Sequence, residues 1–511
     1  MNIKQAKQEI QNTLQAYLAK DELGNYLIPT IRQRPVLLMG PPGIGKTQIM
    51  AQIAQETGVG LVAYTITHHT RQSAIGLPFI EKRTYGDQTF SVTEYTMSEI
   101  LASVYELMEK TGLKEGILFL DEINCVSETL APMMLQFLQC KTFGNQALPE
   151  GWLIVAAGNP PEYNKSVRDF DVVTLDRVKR IDVTEDFAVW KEYARRKGVH
   201  GAVVSYLDIK KEHFYRVETT VDGLQFATAR GWEDLSEIIL AYEKLGLKVD
   251  RQVVGQYIQL PRIAKDFANY LELYYKYRRT YHVDDILQGT WEKITVSELR
   301  SAPFDEKLSV MGLILSRLAE ASKNVRVQDE LTTALHVALK FFKKKIGVDT
   351  VHGAAESPRV ILEQMVNDRQ SAMKAAKDAG QLDKDTRNLS MMEINALTDY
   401  RSRLVDEDIV DEDAFEAVKG WFGAQVELRK TTAQECKDMM DNAFAFLEET
   451  FDQSQELVMF VTEITSGHDT SWFVEHFGCD AYFRHNRELL FDETQNRIRE
   501  QIAAAKSGEL S

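Results

Sequence analysis

The sequence predicts an α/β fold built on an open parallel sheet, followed by a helical region and then a further all-helical region. Three observations carry this. Short apolar runs at residues 35–39, 117–120 and 152–157 each give way to polar residues or glycine, the pattern of parallel strands buried on both faces. A glycine-rich segment, residues 40–47, follows the first run and leads into the helical pattern of residues 48–55. Beyond about residue 282, apolar residues recur at helical spacing, as in 307–318 and 331–342.

At 511 residues the chain is long enough for two or three separate cores. Hydrophobic residues make up 44% and charged residues 27%, which is the balance of an ordered chain rather than a disordered one. Composition shifts divide it into a helical lead-in at 1–34, an alternating α/β core at 35–183, a helical lid at 184–282 and an all-helical accessory domain at 283–511. The N-terminus reads as polar and amphipathic, without the apolar core of a signal peptide. No window reaches the roughly 18 apolar residues that a membrane helix needs. A cytoplasmic location is the expectation, with no membrane partner. Cys125, Cys140, Cys436 and Cys479 stand singly, so neither a disulfide framework nor a thiolate zinc site is indicated, and buried thiols are expected.

The net charge is −16, unevenly distributed. Residues 301–511 hold 25 Lys+Arg against 38 Asp+Glu, a net −13. An acidic surface is a poor footprint for a phosphate backbone, so nucleic acid is an unlikely partner. The acidic run 405–413 reads first as a solvated loop and helix start.

Gly40-Pro41-Pro42-Gly43-Ile44-Gly45-Lys46-Thr47 fits the P-loop pattern G-x-x-x-x-G-K-[ST] in full, between a strand and a helix as that motif requires. Its glycines let backbone N–H groups turn around a β-phosphate, and the helix start adds its positive dipole end. Lys46 would supply a point charge to the β- and γ-phosphates of ATP, and the Thr47 hydroxyl would ligate Mg2+. The second signal is Asp121-Glu122 at the end of the 117–120 run. Asp121 would hold the Mg2+ shell, and Glu122 would orient and deprotonate the attacking water. The third is Asn159, after the run ending Ala156-Ala157-Gly158, where a neutral amide could hold the γ-phosphate or the water.

With these motifs the chain closely resembles the AAA+ superfamily over about residues 30–280: Gly40 to Thr47 as Walker A, Asp121-Glu122 as Walker B and Asn159 as sensor 1. Within it the sequence looks most like the MoxR group and its dynein-related relatives, on Leu120-Asp121-Glu122-Ile123-Asn124, Ala157-Gly158-Asn159-Pro160, Leu175-Asp176-Arg177 and two hairpin insertions. The first insertion, 78–93, alternates around Gly86-Asp87 before a helix expected at 98–110 and corresponds to the helix-2 insert. The second, 141–148, corresponds to the pre-sensor-1 hairpin. The resemblance implies that such hairpins line the central face of a ring and touch clients. Tyr85, Phe90 and Phe143 are then either grips or aromatics packed locally.

The resemblance further implies that Arg177 is an arginine finger completing a neighbouring subunit's site, with Arg180 and Arg168 as rivals and a structural ion pair to Asp176 or Asp182 as the alternative. It places Arg230, in 226–236, in the sensor-2 region, although Ala229 stands where the family commonly has proline. His68, His69, His468, His476 and His485 lack partners at metal spacing and read as satisfied or surface imidazoles. Asn164-Lys165 lacks the aspartate of a guanine-reading motif. MoxR-type ATPases commonly work with a protein bearing a von Willebrand factor A domain. The Asp-x-Ser-x-Ser of such a domain is absent here, so that partner would be a separate polypeptide. The expectation is a hexameric ATPase that remodels or activates a protein client. A nucleotide-gated assembly scaffold with slow hydrolysis and a DNA-acting relative are the alternatives.

Overall fold

The computed structural model describes residues 1–68, 74, 76–143, 146–163, 170–220, 223–346, 357–378, 382–410, 413–452 and 454–487. The chain forms two compact units, Met1–Val189 with Asp368–Ser390, and Trp190–Asn367 with Met391–Ser511.

The first unit is built on a five-stranded parallel sheet. Its strands are β1 (Val36–Met39), β2 (Gly60–Thr65), β5 (Gly116–Asp121), β8 (Trp152–Gly158) and β9 (Lys179–Asp182), in the order β2-β5-β8-β1-β9. The three apolar runs supply the central strands, and the reason is visible in how their residues alternate. Leu37, Leu118, Leu120, Ile154 and Ala156 face one core. Val36, Leu38, Ile117, Phe119, Leu153 and Val155 face the other. A strand buried on both faces must be apolar at every position, and these runs are. Helices α1 (Ile3–Leu18) and α2 (Lys46–Thr57) cover one face through Ile10, Leu14, Met50 and Ile53. Helices α3 (Glu99–Thr111) and α4 (Ala131–Cys140) cover the other through Ile100, Val104, Met134 and Phe137. Edge strand β9 was not anticipated: Lys179-Arg180-Ile181-Asp182 is too polar to read as a strand, yet it pairs in parallel with β1 along its whole length.

Both expected insertions are hairpins. Strands β3 (Pro78–Tyr85) and β4 (Gln88–Tyr95) pair in register around Gly86-Asp87, tied across the strands by an Arg83–Glu94 ion pair at 2.8 Å. Tyr85 and Phe90 are 57% and 49% exposed. Strands β6 (Thr142–Phe143) and β7 (Gln146–Ala147) form the second hairpin. Here the structure decides between the two readings of Phe143. Phe143 is only 3% exposed and stacks on Phe137 with ring centroids 4.0 Å apart, so it is a core residue and no grip. Cys140 also departs from expectation, being exposed, whereas Cys436 and Cys479 are buried and their thiols are pushed up to about 11 by loss of hydration.

The second unit is largely helical, with one exception inside the stretch read as a helical lid. Strands β10 (Arg216–Thr220) and β11 (Gly223–Ala227) form an antiparallel hairpin there. Arg216, Glu218, Thr219 and Thr220 leave β10 without an apolar alternation, which is why periodicity missed it. In the same unit α7 (Gly201–Ile209), α8 (Ala229–Leu245) and α10 (Pro261–Thr280) bury Tyr206, Trp232 and Phe267 together. The C-terminal portion centres on two long helices, Phe304–Lys345 and Asp413–Phe451, which bury Leu318, Val325, Phe342, Met440 and Phe444 along their length. Arg429 pairs with Asp329 across them. Among the described residues no helix is long and apolar enough to cross a membrane.

The difference between the two hairpins is measurable. Phe143→Ala should cost about 3 kcal/mol through the cavity it leaves, seen as a lower midpoint in thermal melting. Phe90→Ala should stay within about 0.5 kcal/mol of the native chain.

Candidate active site

In a parallel sheet the carboxyl ends of the strands open onto one edge, and loops leaving that edge can converge on a ligand. Four strands do so here. The register aligns Met39 of β1 with Gly158 of β8, Leu120 of β5 with Ala156 of β8, and Thr65 of β2 with Asp121 of β5. The P-loop follows β1, Glu122 follows β5, Asn159 follows β8 and Thr67 follows β2.

The P-loop leaves β1 and enters α2 at Gly45, whose φ of +94° is left-handed backbone that favours glycine. Lys46 is the first residue of α2 and only 8% exposed. Its ammonium donates to the carbonyls of Gly40 and Pro41, at 2.7 and 2.8 Å, and to Oδ1 of Asn159 at 2.8 Å. Sequence reading placed Lys46 and Asn159 in the same site, and the fold brings them into direct contact across 113 positions of chain. Thr47 meets Asp121 in the same way, its Oγ1 donating to Oδ2 at 2.8 Å. A hydroxyl and a carboxylate side by side are oxygen donors suited to Mg2+, which prefers hard ligands and keeps several waters.

Glu122 follows at the turn after β5. It has φ of +58°, uncommon for a residue with a side chain, and its N–H donates to Asp121 Oδ1 at 2.9 Å. Strained backbone of this kind persists where surrounding structure holds it. Here the next residue anchors it: Ile123 N–H donates to the carbonyl of Ala157 at 2.9 Å. Sequence reading missed Thr67, whose Oγ1 donates to Glu122 Oε2 at 2.9 Å. Its place just beyond the end of β2 was the available signal, but nothing local distinguishes it from other loop threonines.

The arginines divide differently. Arg177 is exposed and donates to the side-chain oxygen of Gln139 rather than to Asp176 or Asp182. Arg180 is bound to Asp182 at 2.8 Å, the structural ion pair weighed above. Arg168 lies outside the described residues, as do His69 and the Asn164-Lys165 pair. Arg230 belongs to the second unit, exposed in the first turn of α8, whose start is capped by Thr228 accepting from Gly231 N–H. Three of the histidines singled out above have ordinary partners: His485 contacts Glu448, His476 the carbonyl of Trp472 and His468 its neighbour Asp469. Among the described residues no cluster of three metal-ligating side chains occurs.

Residues 36–173 match the family described as "ATPase family associated with various cellular activities (AAA)". The chain carries an AAA domain. That domain spans β1 through the helical turn Val172–Leu175, and so includes the P-loop, Asp121-Glu122 and Asn159. A search of curated proteins finds no match. Among solved structures, a candidate ATPase from Cytophaga hutchinsonii is similar at 16% identity and a TM-score of 0.21. The match covers 36% of this chain and half of that one.

The hydroxyl of Thr67 fixes the Glu122 carboxylate in orientation. Thr67→Val, which removes the donor at similar volume, should lower ATP turnover about tenfold while nucleotide affinity in a fluorescence titration holds. Thr67→Ser should retain turnover.

Proposed function

We propose that the AAA domain hydrolyses ATP with Mg2+ and that turnover drives the remodelling or activation of a protein client. The single observation behind this is the convergence of Lys46, Thr47, Asp121, Glu122 and Asn159 at one sheet edge, through the contacts Lys46–Asn159 and Thr47–Asp121. Gly40, Pro41, Pro42, Gly43, Ile44 and Gly45 form the loop that would cradle the phosphates, with Lys46 drawn from its carbonyl and amide partners onto the β- and γ-phosphate oxygens. Thr47 and Asp121 would hold Mg2+, which would supply positive charge against the negative charge that develops as the γ-phosphoryl group leaves. Glu122 takes the proton of the attacking water and Asn159 orients that water or the γ-phosphate.

Arg177 is the arginine finger of this reading. It is exposed and hydrogen-bonded to a neutral amide, so its charge remains available to a neighbouring subunit. Arg180, already neutralised by Asp182, is less suited. A finger supplied in trans requires assembly, and a closed ring, proposed as a hexamer, meets that need. Arg230 would act as sensor 2 within its own chain. Tyr85 and Phe90, exposed on the β3–β4 hairpin, are the side chains offered to a client. A MoxR-like pairing with a von Willebrand factor A protein in the cytoplasm completes the proposal.

Glu122→Gln should bind ATP with native affinity but lose turnover by about a hundredfold or more, measured as phosphate release. Lys46→Ala should instead weaken nucleotide binding, by roughly tenfold or more. Arg177→Ala should abolish turnover without loss of binding. Full turnover by Glu122→Gln overturns the assigned base. Hydrolysis that no protein fraction stimulates would favour a slow, nucleotide-gated scaffold.

A further inference from the structure

Asn124 has no part in the mechanism above, yet it is the residue that joins two halves of the site. Two positions after Glu122, it is 3% exposed. Its Nδ2 donates to the carbonyl of Asn159 at 2.8 Å, and its Oδ1 accepts from the N–H of the same residue at 3.3 Å. Asn159 lies one residue beyond β8, where strand pairing has ended: β1 pairs as far as Gly158 and β5 as far as Ala156. The Asn124 amide therefore replaces the missing strand, satisfying both main-chain groups of Asn159 with one planar side chain. A buried amide that made neither bond would be costly, so the arrangement holds both partners in place.

The packing around it admits little else. A Cβ on Gly158 would stand 2.7 Å from Asn124 Oδ1 and 2.9 Å from its Cγ, so glycine there is what lets the amide lie against the strand. The same turn carries Asp121 and Glu122, and its Ile123 N–H bonds Ala157. Asn159 in turn presents its Oδ1 to Lys46. The run of contacts is thus Asp121-Glu122 turn, Asn124, Asn159 main chain, Asn159 side chain, Lys46.

We propose that Asn124 is a positioning residue that locks the Asp121-Glu122 turn to the main chain of Asn159, and so fixes the distance between the group that activates water and the amide that orients it. The role rests on the ATP-hydrolysis reading. It requires only that the two elements move as one body, and Asn124 itself touches neither nucleotide nor water. Because errors of about 1 Å in such a constellation cost about a hundredfold in rate, loss of the lock acts on turnover far more than on affinity.

The test uses the full chain. Wild type, Asn124→Ala, Asn124→Asp, Asn159→Ala and the Asn124→Ala/Asn159→Ala double variant are compared for ATP affinity, with a fluorescent ATP analogue, and for turnover. At pH 8, Asn124→Ala and Asn124→Asp should lose turnover about tenfold or more, with affinity within about threefold of wild type. The double variant should be no slower than Asn159→Ala alone, since both act through one amide.

Asn124→Asp adds a readout that a merely structural residue would not move. Its ionised carboxylate can accept from the Asn159 N–H but cannot donate to the carbonyl, whereas the protonated acid can do both. Burial raises the pKa of such a group, so turnover of this variant relative to wild type should recover as pH falls. Should Asn124→Ala fail to fold, that profile decides the matter. Turnover near wild type in both Asn124 variants, additive losses in the double variant, or a deficit in Asn124→Asp that is the same at every pH would each overturn the role. If wild type hydrolyses ATP and Glu122→Gln does not, those results overturn the Asn124 role alone. No turnover by wild type overturns it together with the reading on which it rests.

Discussion

The buried ammonium of Lys46 is the constraint around which the edge of the sheet is arranged. A cation this shielded is tolerated only when its donors are met, and here two carbonyls of the preceding loop and the side chain of Asn159 meet them. The two carbonyls belong to the loop itself and are local. The third partner comes from a different strand, so satisfying Lys46 also fixes where β8 ends relative to β1. The parallel pairing of β1 with β8 makes that possible by delivering Met39 and Gly158 side by side.

The same logic extends across the sheet. A strand buried on both faces cannot carry polar groups along its length, so polar residues accumulate where it stops. That is why Asp121 and Asn159 lie at or just beyond the ends of the buried strands β5 and β8. At this edge polar groups meet in pairs: Thr47 with Asp121, Thr67 with Glu122, Asn124 with Asn159. Each pair joins segments that leave different strands of the sheet.

The second unit obeys a different economy of structure. Its long helices bury Phe and Leu along their length and hold register with side-chain ion pairs such as Arg326–Asp469 and Arg429–Asp329. Lys191, paired with Asp208 and Glu463, is sufficiently buried that its pKa falls to about 8, desolvation and the nearby Arg195 charge outweighing Asp208. These are features of packing, and among the described residues of this unit no constellation of catalytic side chains stands out.

The sequence by itself determined the strands at the centre of the sheet, the P-loop with its helix, the Asp121-Glu122 pair, Asn159 and both hairpins, because each is written in consecutive residues whose spacing reports local geometry. Only the tertiary structure decided the rest. Phe143 became core because Phe137 lies under it, Arg180 was claimed by Asp182, and polar β9 and β10 became strands because neighbouring strands offered them partners. Thr67 and Asn124 gained their places from strand ends that meet in space. A lone threonine or asparagine carries no periodicity, and its role is set by which backbone or carboxylate the fold brings within 3 Å, a relation between distant residues that no local pattern encodes.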